Sequence, residues 1–100
     1  MVQATTPTFT FTFPNSIDPS TFQKIVFSLT QNDIEFEKTD ESLKIEGQTI
    51  SVLLTQEETL SLRVGEAELQ LNWLYADGTR ACSDINKITI TKNLLQEILQ

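Results

Sequence analysis

The chain has 100 residues, of which 39% are hydrophobic and 21% are charged, a balance that suits one globular domain rather than a disordered segment. Its 14 acidic and 7 basic residues give a net charge of −7, and the basic residues are scattered along the chain. Direct binding to nucleic acid or to an anionic membrane is therefore not expected, because both need clustered cations. The acidic excess is explained by solubility alone, and the alternative is a negative face presented to a basic partner.

The single cysteine, Cys82, excludes an intrachain disulfide and favours a cytosolic over a secreted setting. No segment has the basic-then-apolar pattern of a signal peptide or the apolar length of a membrane span. We predict a flexible N-terminus over residues 1–6 and a single β-sandwich domain over residues 7–100.

The first predicted strand lies in the segment TPTFTFTFP, where phenylalanine alternates with threonine. Alternation places each residue type on its own face of the strand. The phenylalanine face is predicted to enter the core, in preference to forming an exposed aromatic strip, and threonine suits an exposed strand face. The residues concerned are Phe9, Phe11 and Phe13 on one face and Thr8, Thr10 and Thr12 on the other.

Alternating hydrophobicity continues through residues 24–30, 34–38, 43–45 and 49–55, which predicts four more strands, the first two joined as a hairpin. Asp18 followed by Pro19 is typical of a short helix start. Thr55 and Glu58 have the spacing of a capping box, which predicts one helical turn over residues 56–61 and gives Glu58 a capping role rather than an acid-catalytic one.

The clearest hairpin signal is Asp77-Gly78, which predicts a two-residue turn after a strand over residues 67–75. That register pairs Trp73 with Cys82, so Cys82 is predicted to be a small buried hydrophobe. It also pairs Tyr75 with Arg80 and predicts that Arg80 stacks on a partly exposed Tyr75.

Continuing the same register would bury Asp84, so we predict a bulge or a change of sheet near residues 83–84. A last strand over residues 87–91 and a short helix over residues 93–100, capped by Asn93, complete the chain. About seven strands with frequent turn signals predict a mainly β fold, an immunoglobulin-like antiparallel β-sandwich.

The residues that usually carry chemistry are missing. The absence of histidine excludes Ser-His-Asp and Cys-His arrangements within this chain, and with only one cysteine it leaves no ordinary zinc site. Three separated glycines form no phosphate-binding loop. Trp73 and Tyr75 suggest a ligand platform, but their strand position favours the core, especially for Trp73. We therefore predict a protein that is not an enzyme and that uses no cofactor and no metal.

Several segments together resemble a family. They are TTPTFTFTFP, IVFSLTQND, GQTISVLLTQEETL, AELQLNWLYADGTRACSDINKITI and NLLQEIL. This layout is similar to small proteins encoded in prophages of Firmicutes, which share a TTPT-aromatic start, an ISV-x-LTQEETL centre and a DG-x-x-A-x-SDI-x-K end. The resemblance spans nearly the whole chain. It implies a phage context and, by association, a virion or virion-assembly component.

The functional expectation is a non-enzymatic phage or prophage structural protein, a head, neck or tail/baseplate accessory component, located in the virion or in the bacterial host cytoplasm. Its partners would be other protein chains, a homo-oligomer among them. The alternative is a small acidic host-directed interaction protein, an inhibitor or charge mimic. The candidate interaction surface comprises Thr8, Thr10, Thr12, Tyr75, Asp77 and Arg80.

Overall fold

A computed structural model describes residues 1–100. The chain forms eight β-strands, one α-helix and two single 3-10 turns. The elements are β1 (Thr8–Thr12), β2 (Lys24–Gln31), β3 (Ile34–Thr39), β4 (Leu43–Glu46), β5 (Thr49–Leu53), α1 (Gln56–Leu60), β6 (Gly65–Leu74), β7 (Arg80–Cys82) and β8 (Asn86–Ile90).

The strands form two antiparallel sheets, which confirms the predicted mainly β sandwich. The small sheet has the order β1-β5-β4, and the large sheet has the order β3-β2-β6, with β7 and β8 both paired to β6. These orders correspond to strands B-E-D and C′-C-F-G of an immunoglobulin-like sandwich. Eight strands replace the expected seven because the last one is interrupted between β7 and β8.

Alternation along the strands builds the core. Ile25, Phe27 and Leu29 point inward from β2, and every second residue of β6 from Ala67 to Trp73 does the same. The prediction for the first strand is also confirmed: its phenylalanines face the core, and its threonines face outward. Phe27 has no exposed surface and joins the two sheets, since its ring lies 6.1 Å from that of Phe9 and 6.2 Å from that of Phe11 between ring centroids.

The helix α1 connects the small sheet to the large one, close to the predicted bounds. The capping box is present: the Glu58 N–H donates to Thr55 Oγ1 at 3.2 Å, and the Thr55 N–H donates to Glu58 Oε1 at 2.8 Å. Glu58 Oε1 also accepts from Lys38 Nζ at 2.8 Å, and Lys38 Nζ donates to the Leu53 carbonyl at 2.8 Å. Capping and ion pairing at Glu58 therefore fix β3, β5 and α1 to one another.

The two-residue turn at Asp77-Gly78 was a wrong prediction. Trp73 pairs with Ala81, not with Cys82, and the loop contains three residues with Gly78 at φ +90°. A one-residue change of register moves every side chain of the second strand to the other face. Cys82 is therefore exposed on the outer face of the large sheet and not buried, while Ala81 takes the inward position.

The predicted bulge near residues 83–84 is confirmed, and the chain does not change sheet there. Pairing shifts by one residue between β7, where Asn72 pairs with Cys82, and β8, where Leu69 pairs with Asn86. Ser83 holds the break in place: its N–H donates to the Leu71 carbonyl at 2.8 Å, and its hydroxyl accepts from the Leu71 N–H at 3.0 Å.

The short C-terminal helix predicted over residues 93–100 does not form. The segment is irregular, and its Leu99 bonds to the side chain of Gln56 instead of to a helical neighbour. The Leu99 N–H donates to Gln56 Oε1 at 2.8 Å, and Gln56 Nε2 donates to the Leu99 carbonyl at 3.0 Å. Leu94, Leu95 and Leu99 are 92%, 46% and 62% exposed, so no buried helical face forms here. An isolated helix of this length is marginal in water, and the contacts with α1 decide its conformation.

Residues 1–6, which we predicted to be a flexible N-terminus, lie against the domain. Val2 forms a parallel bridge with Thr91, and Gln3 is buried, with its amide donating to the Leu62 carbonyl at 2.6 Å. The buried Thr59 hydroxyl donates to the Thr5 carbonyl at 2.8 Å. The mobility of this segment stays a prediction, but its side chains contribute to the packing.

Candidate functional site

The outer face of the small sheet is lined mainly by hydroxyl groups. Thr8, Thr10 and Thr12 are all exposed on β1. Opposite them on β5 stand Leu53, Ser51 and Thr49 in that order. The hydroxyls of Thr10 and Ser51 lie 3.4 Å apart. The three predicted threonines therefore form the uncharged part of this face, and Lys44 and Glu46 of β4 lie beyond β5 on the same side.

The free edge of β1 borders this face. Phe13 donates its N–H to the Gln48 carbonyl, and the Pro7 carbonyl accepts from Leu54, both across the junction with β5. Because backbone groups alternate sides along an antiparallel strand, Thr8, Thr10 and Thr12 direct their N–H and C=O groups away from β5. None of those six groups has a hydrogen-bond partner within the chain, so β1 presents an open row of donors and acceptors.

Charges or irregularities protect the other sheet edges. β4 carries Lys44 and Glu46 with well-exposed side chains, and β3 carries the exposed Glu35 and Glu37. The opposite edge of the large sheet is broken between β7 and β8. These features discourage strand pairing between molecules. By contrast, β1 has no charged residue and no bulge.

Asp77, another residue of the candidate interaction surface, lies in the loop between β6 and β7 and forms hydrogen bonds within that loop. Its carboxylate accepts from the Thr79 hydroxyl at 2.7 Å and from the Thr79 N–H at 2.9 Å. These hydrogen bonds hold the pKa of Asp77 below its usual value. The carboxylate is exposed, but its main role here is to order a turn.

Arg80 and Tyr75 do not stack on each other, contrary to our prediction. Arg80 lies on the outer face of the large sheet, and its guanidinium donates to Asn72 Oδ1 at 2.9 and 3.3 Å. Tyr75 belongs to the inward face and is half-buried, with its ring centroid 5.6 Å from that of Phe22 and 6.4 Å from that of Trp73. The observed register separates these two residues onto opposite faces.

The six predicted residues therefore fall into two groups and not into one surface. The threonines of β1 belong to the small sheet, and the remaining three lie at one end of the large sheet. Buried aromatic rings connect the groups, since Phe13 lies 5.0 Å from Trp73, which in turn contacts Tyr75. Trp73 Nε1 is the one buried side-chain polar atom without a hydrogen-bond partner.

The large sheet has a shallow depression of about 320 Å³ on its outer face that sequence reasoning missed. Lys24, Glu37 and Arg80 provide its charged groups, and Val26 and Leu74 provide apolar surface. These residues come from separate strands and meet only through strand register, so no local motif marks them. The backbone edge of β1 was also missed, although the absence of charge in TFTFT was visible in the sequence.

The structure brings together no group of three or more histidine, cysteine, aspartate or glutamate side chains that could hold a metal ion. Among its helices there is none with the length and apolar character needed to cross a membrane.

The chain matches no protein-family model. Neither curated proteins nor solved structures include one with significant similarity to it.

Proposed function

We propose that the chain is a non-enzymatic structural protein of a bacteriophage, a head, neck or tail/baseplate accessory component that acts through contacts with other protein chains. The observation that carries this proposal is the free, uncharged edge of β1 beside its exposed threonine face. An edge of this kind binds another strand through main-chain hydrogen bonds. The phage setting is supported by the resemblance of the segments around LTQEETL and SDI to prophage-encoded proteins.

The test is quantitative mass spectrometry of particles purified after induction of a host that carries this gene. The proposal expects the chain in particles at a fixed copy number, with many copies for a shell or tube component and few for a neck or baseplate component. A chain that is abundant in the host cytoplasm and absent from particles contradicts it.

A second candidate function, a small acidic protein directed at a basic host partner, is favoured by one observation. Glu35 and Glu68 flank Thr30 on the outer face of the large sheet, in a molecule of net charge −7. This function predicts salt-sensitive binding to a host nucleic-acid-binding enzyme. Glu35→Lys combined with Glu68→Lys should weaken that binding, whereas Thr10→Lys should not. Binding that is absent or insensitive to salt contradicts the second function.

A further inference from the structure

We propose that β1 pairs with β1 of a second copy of this chain, antiparallel and across a two-fold axis at Thr10, so that two small sheets join into one six-stranded sheet. This inference rests on the contact role proposed above for β1. It goes further because it names the partner and the register.

The first argument is the arrangement of free backbone groups. The outward N–H and C=O groups belong to Thr8, Thr10 and Thr12. In the register centred on Thr10, Thr10 faces Thr10 of the other copy, and Thr8 faces Thr12. All three unpaired residues on each copy then exchange both of their hydrogen bonds. No free donor or acceptor remains along the strand.

The second argument is that the strand reads the same in both directions. TFTFT is a palindrome about Thr10, so antiparallel self-pairing sets threonine opposite threonine and phenylalanine opposite phenylalanine. A register shifted by one residue would set threonines opposite phenylalanines and place side chains on the wrong faces. The flanking Pro14 has no N–H, which ends the ladder at the strand boundary.

The third argument is incomplete burial at this edge. Phe9 and Phe11 pack against the core but are only half-buried, because no strand lies beyond β1. In the proposed register Phe9 faces Phe11 of the other copy in a closely spaced, non-hydrogen-bonded pair. Each ring would cover the open side of its counterpart and extend the core across the axis.

The fourth argument is charge. Each copy carries a net charge of −7, which opposes association through most of the surface. β1 is the one sheet edge with neither charge nor interruption, so repulsion there is lowest. A second copy is favoured as the partner because its β1 has the same sequence and the same half-buried phenylalanines. Its outward N–H and C=O groups also lie on the same residues, so they match those of the first copy.

The experiment is sedimentation equilibrium on the full chain from about 1 μM to about 1 mM, a range that covers weak interfaces. Thr10→Lys and Thr10→Glu each place like charges directly opposite across the axis, and each should raise the dimer dissociation constant about fivefold or more. Thr39→Lys is the matched control, because Thr39 is exposed on the edge strand β3 of the other sheet. It should dimerise like the wild-type chain.

Mixing the Thr10→Lys and Thr10→Glu chains should restore dimerisation, because the charges at the axis then attract. The proposal is overturned by a wild-type chain that is monomeric over the whole range. It is also overturned if Thr10→Lys dimerises as well as Thr39→Lys. Thr10 and Thr39 are both exposed, and fluorescence of the buried Trp73 checks that each of the three variants is folded.

Cross-linking tests the register directly. In a Cys82→Ser background, Thr10→Cys should form an intermolecular disulfide on mild oxidation, because residues of a hydrogen-bonded pair lie within disulfide reach. Thr39→Cys in the same background should stay largely uncoupled. A dimer that forms without cross-linking at position 10 overturns the register and indicates another face. These solution results are independent of particle content, so failure here is distinguishable from failure of the proposed phage function.

Discussion

Glu58 is the residue whose replacement tests the reasoning about the fold most directly. Its carboxylate accepts hydrogen bonds from the Thr55 N–H and from Lys38 Nζ, both at 2.8 Å. The side chains of Lys38 and Glu58 are only 12% and 27% exposed. Glu58→Ala removes the capping acceptor and leaves a largely buried ammonium group without its carboxylate.

The expected loss in the free energy of unfolding has two parts. Loss of the cap costs about 1 kcal/mol. Loss of the ion pair costs about 1–2 kcal/mol, between the values for an exposed and a buried pair. The total of about 2–3 kcal/mol is a large share of the stability of a domain of this size.

Urea unfolding followed by the fluorescence of Trp73, the single tryptophan, measures this loss. Glu57→Ala is the matched control, because Glu57 is an exposed neighbour in the same helix and makes no ion pair. It should change stability by less than about 0.5 kcal/mol. Equal effects of the two substitutions would refute the role assigned to Glu58.

The same cluster predicts a dependence on pH. Burial raises the pKa of Glu58, but the hydrogen bonds from Lys38 and Thr55 and the charge of Lys38 outweigh it, so the pKa lies below its ordinary 4.5. The stabilisation is therefore fully present above about pH 4.5 and is lost as the pH falls through the folded-state pKa. Glu58→Gln should flatten this part of the stability curve. A curve that retains the wild-type slope would contradict the assignment.

Three further predictions follow from the packing. Phe27→Ala should lower the free energy of unfolding by about 3–5 kcal/mol, because Phe27 is fully buried between the sheets, and a loss below about 1 kcal/mol in urea titration would contradict that position. Cys82 should react with a thiol reagent in the folded protein nearly as fast as in urea. Slow reaction in the folded state would instead indicate that Cys82 is buried, as the register with a two-residue turn requires. Gly78→Ala should cost about 1–2 kcal/mol because φ is +90°, and an unchanged unfolding midpoint would contradict that loop geometry.

Local patterns were sufficient wherever neighbouring residues alone determine the structure. Alternation assigned the faces of β1 and β2, and the spacing of Thr55 and Glu58 located α1 with both hydrogen bonds of its capping box. These features depend on side chains within a few positions of each other. The capping hydrogen bonds form within one helical turn, and the alternation of apolar and polar residues specifies which face of a strand is buried.

Other features depend on distant partners. The sequence around Gly78 is compatible with a two-residue or a three-residue loop. The pairing of β7 with β6 selects the three-residue loop, and the hydrogen bond from the Leu71 N–H to the Ser83 hydroxyl supports that pairing. The segment after Asn93 has a helical pattern, but the Gln56 side chain binds the N–H and the carbonyl of Leu99. The candidate surface divided because β1 pairs with β5 in the small sheet, whereas Tyr75, Asp77 and Arg80 lie at one end of the large sheet. Within the second group, the register shift placed Arg80 and Tyr75 on opposite faces.

The pairing of residues 1–3 with the segment at Thr91 has a mechanical consequence. Residues 1–3 run parallel to the strand that ends near Thr91, with bonds from Gln3 N–H to the Thr91 carbonyl at 3.0 Å and from Thr91 N–H to the Met1 carbonyl at 2.8 Å. Tension applied at Met1 and at a point just beyond Thr91 would pull these segments along their length in opposite directions. The bonds would then bear the load together in shear and would not open one after another. Under tension between Met1 and a point just beyond Thr91, the sandwich is therefore held by the hydrogen bonds that join residues 1–3 to the segment at Thr91.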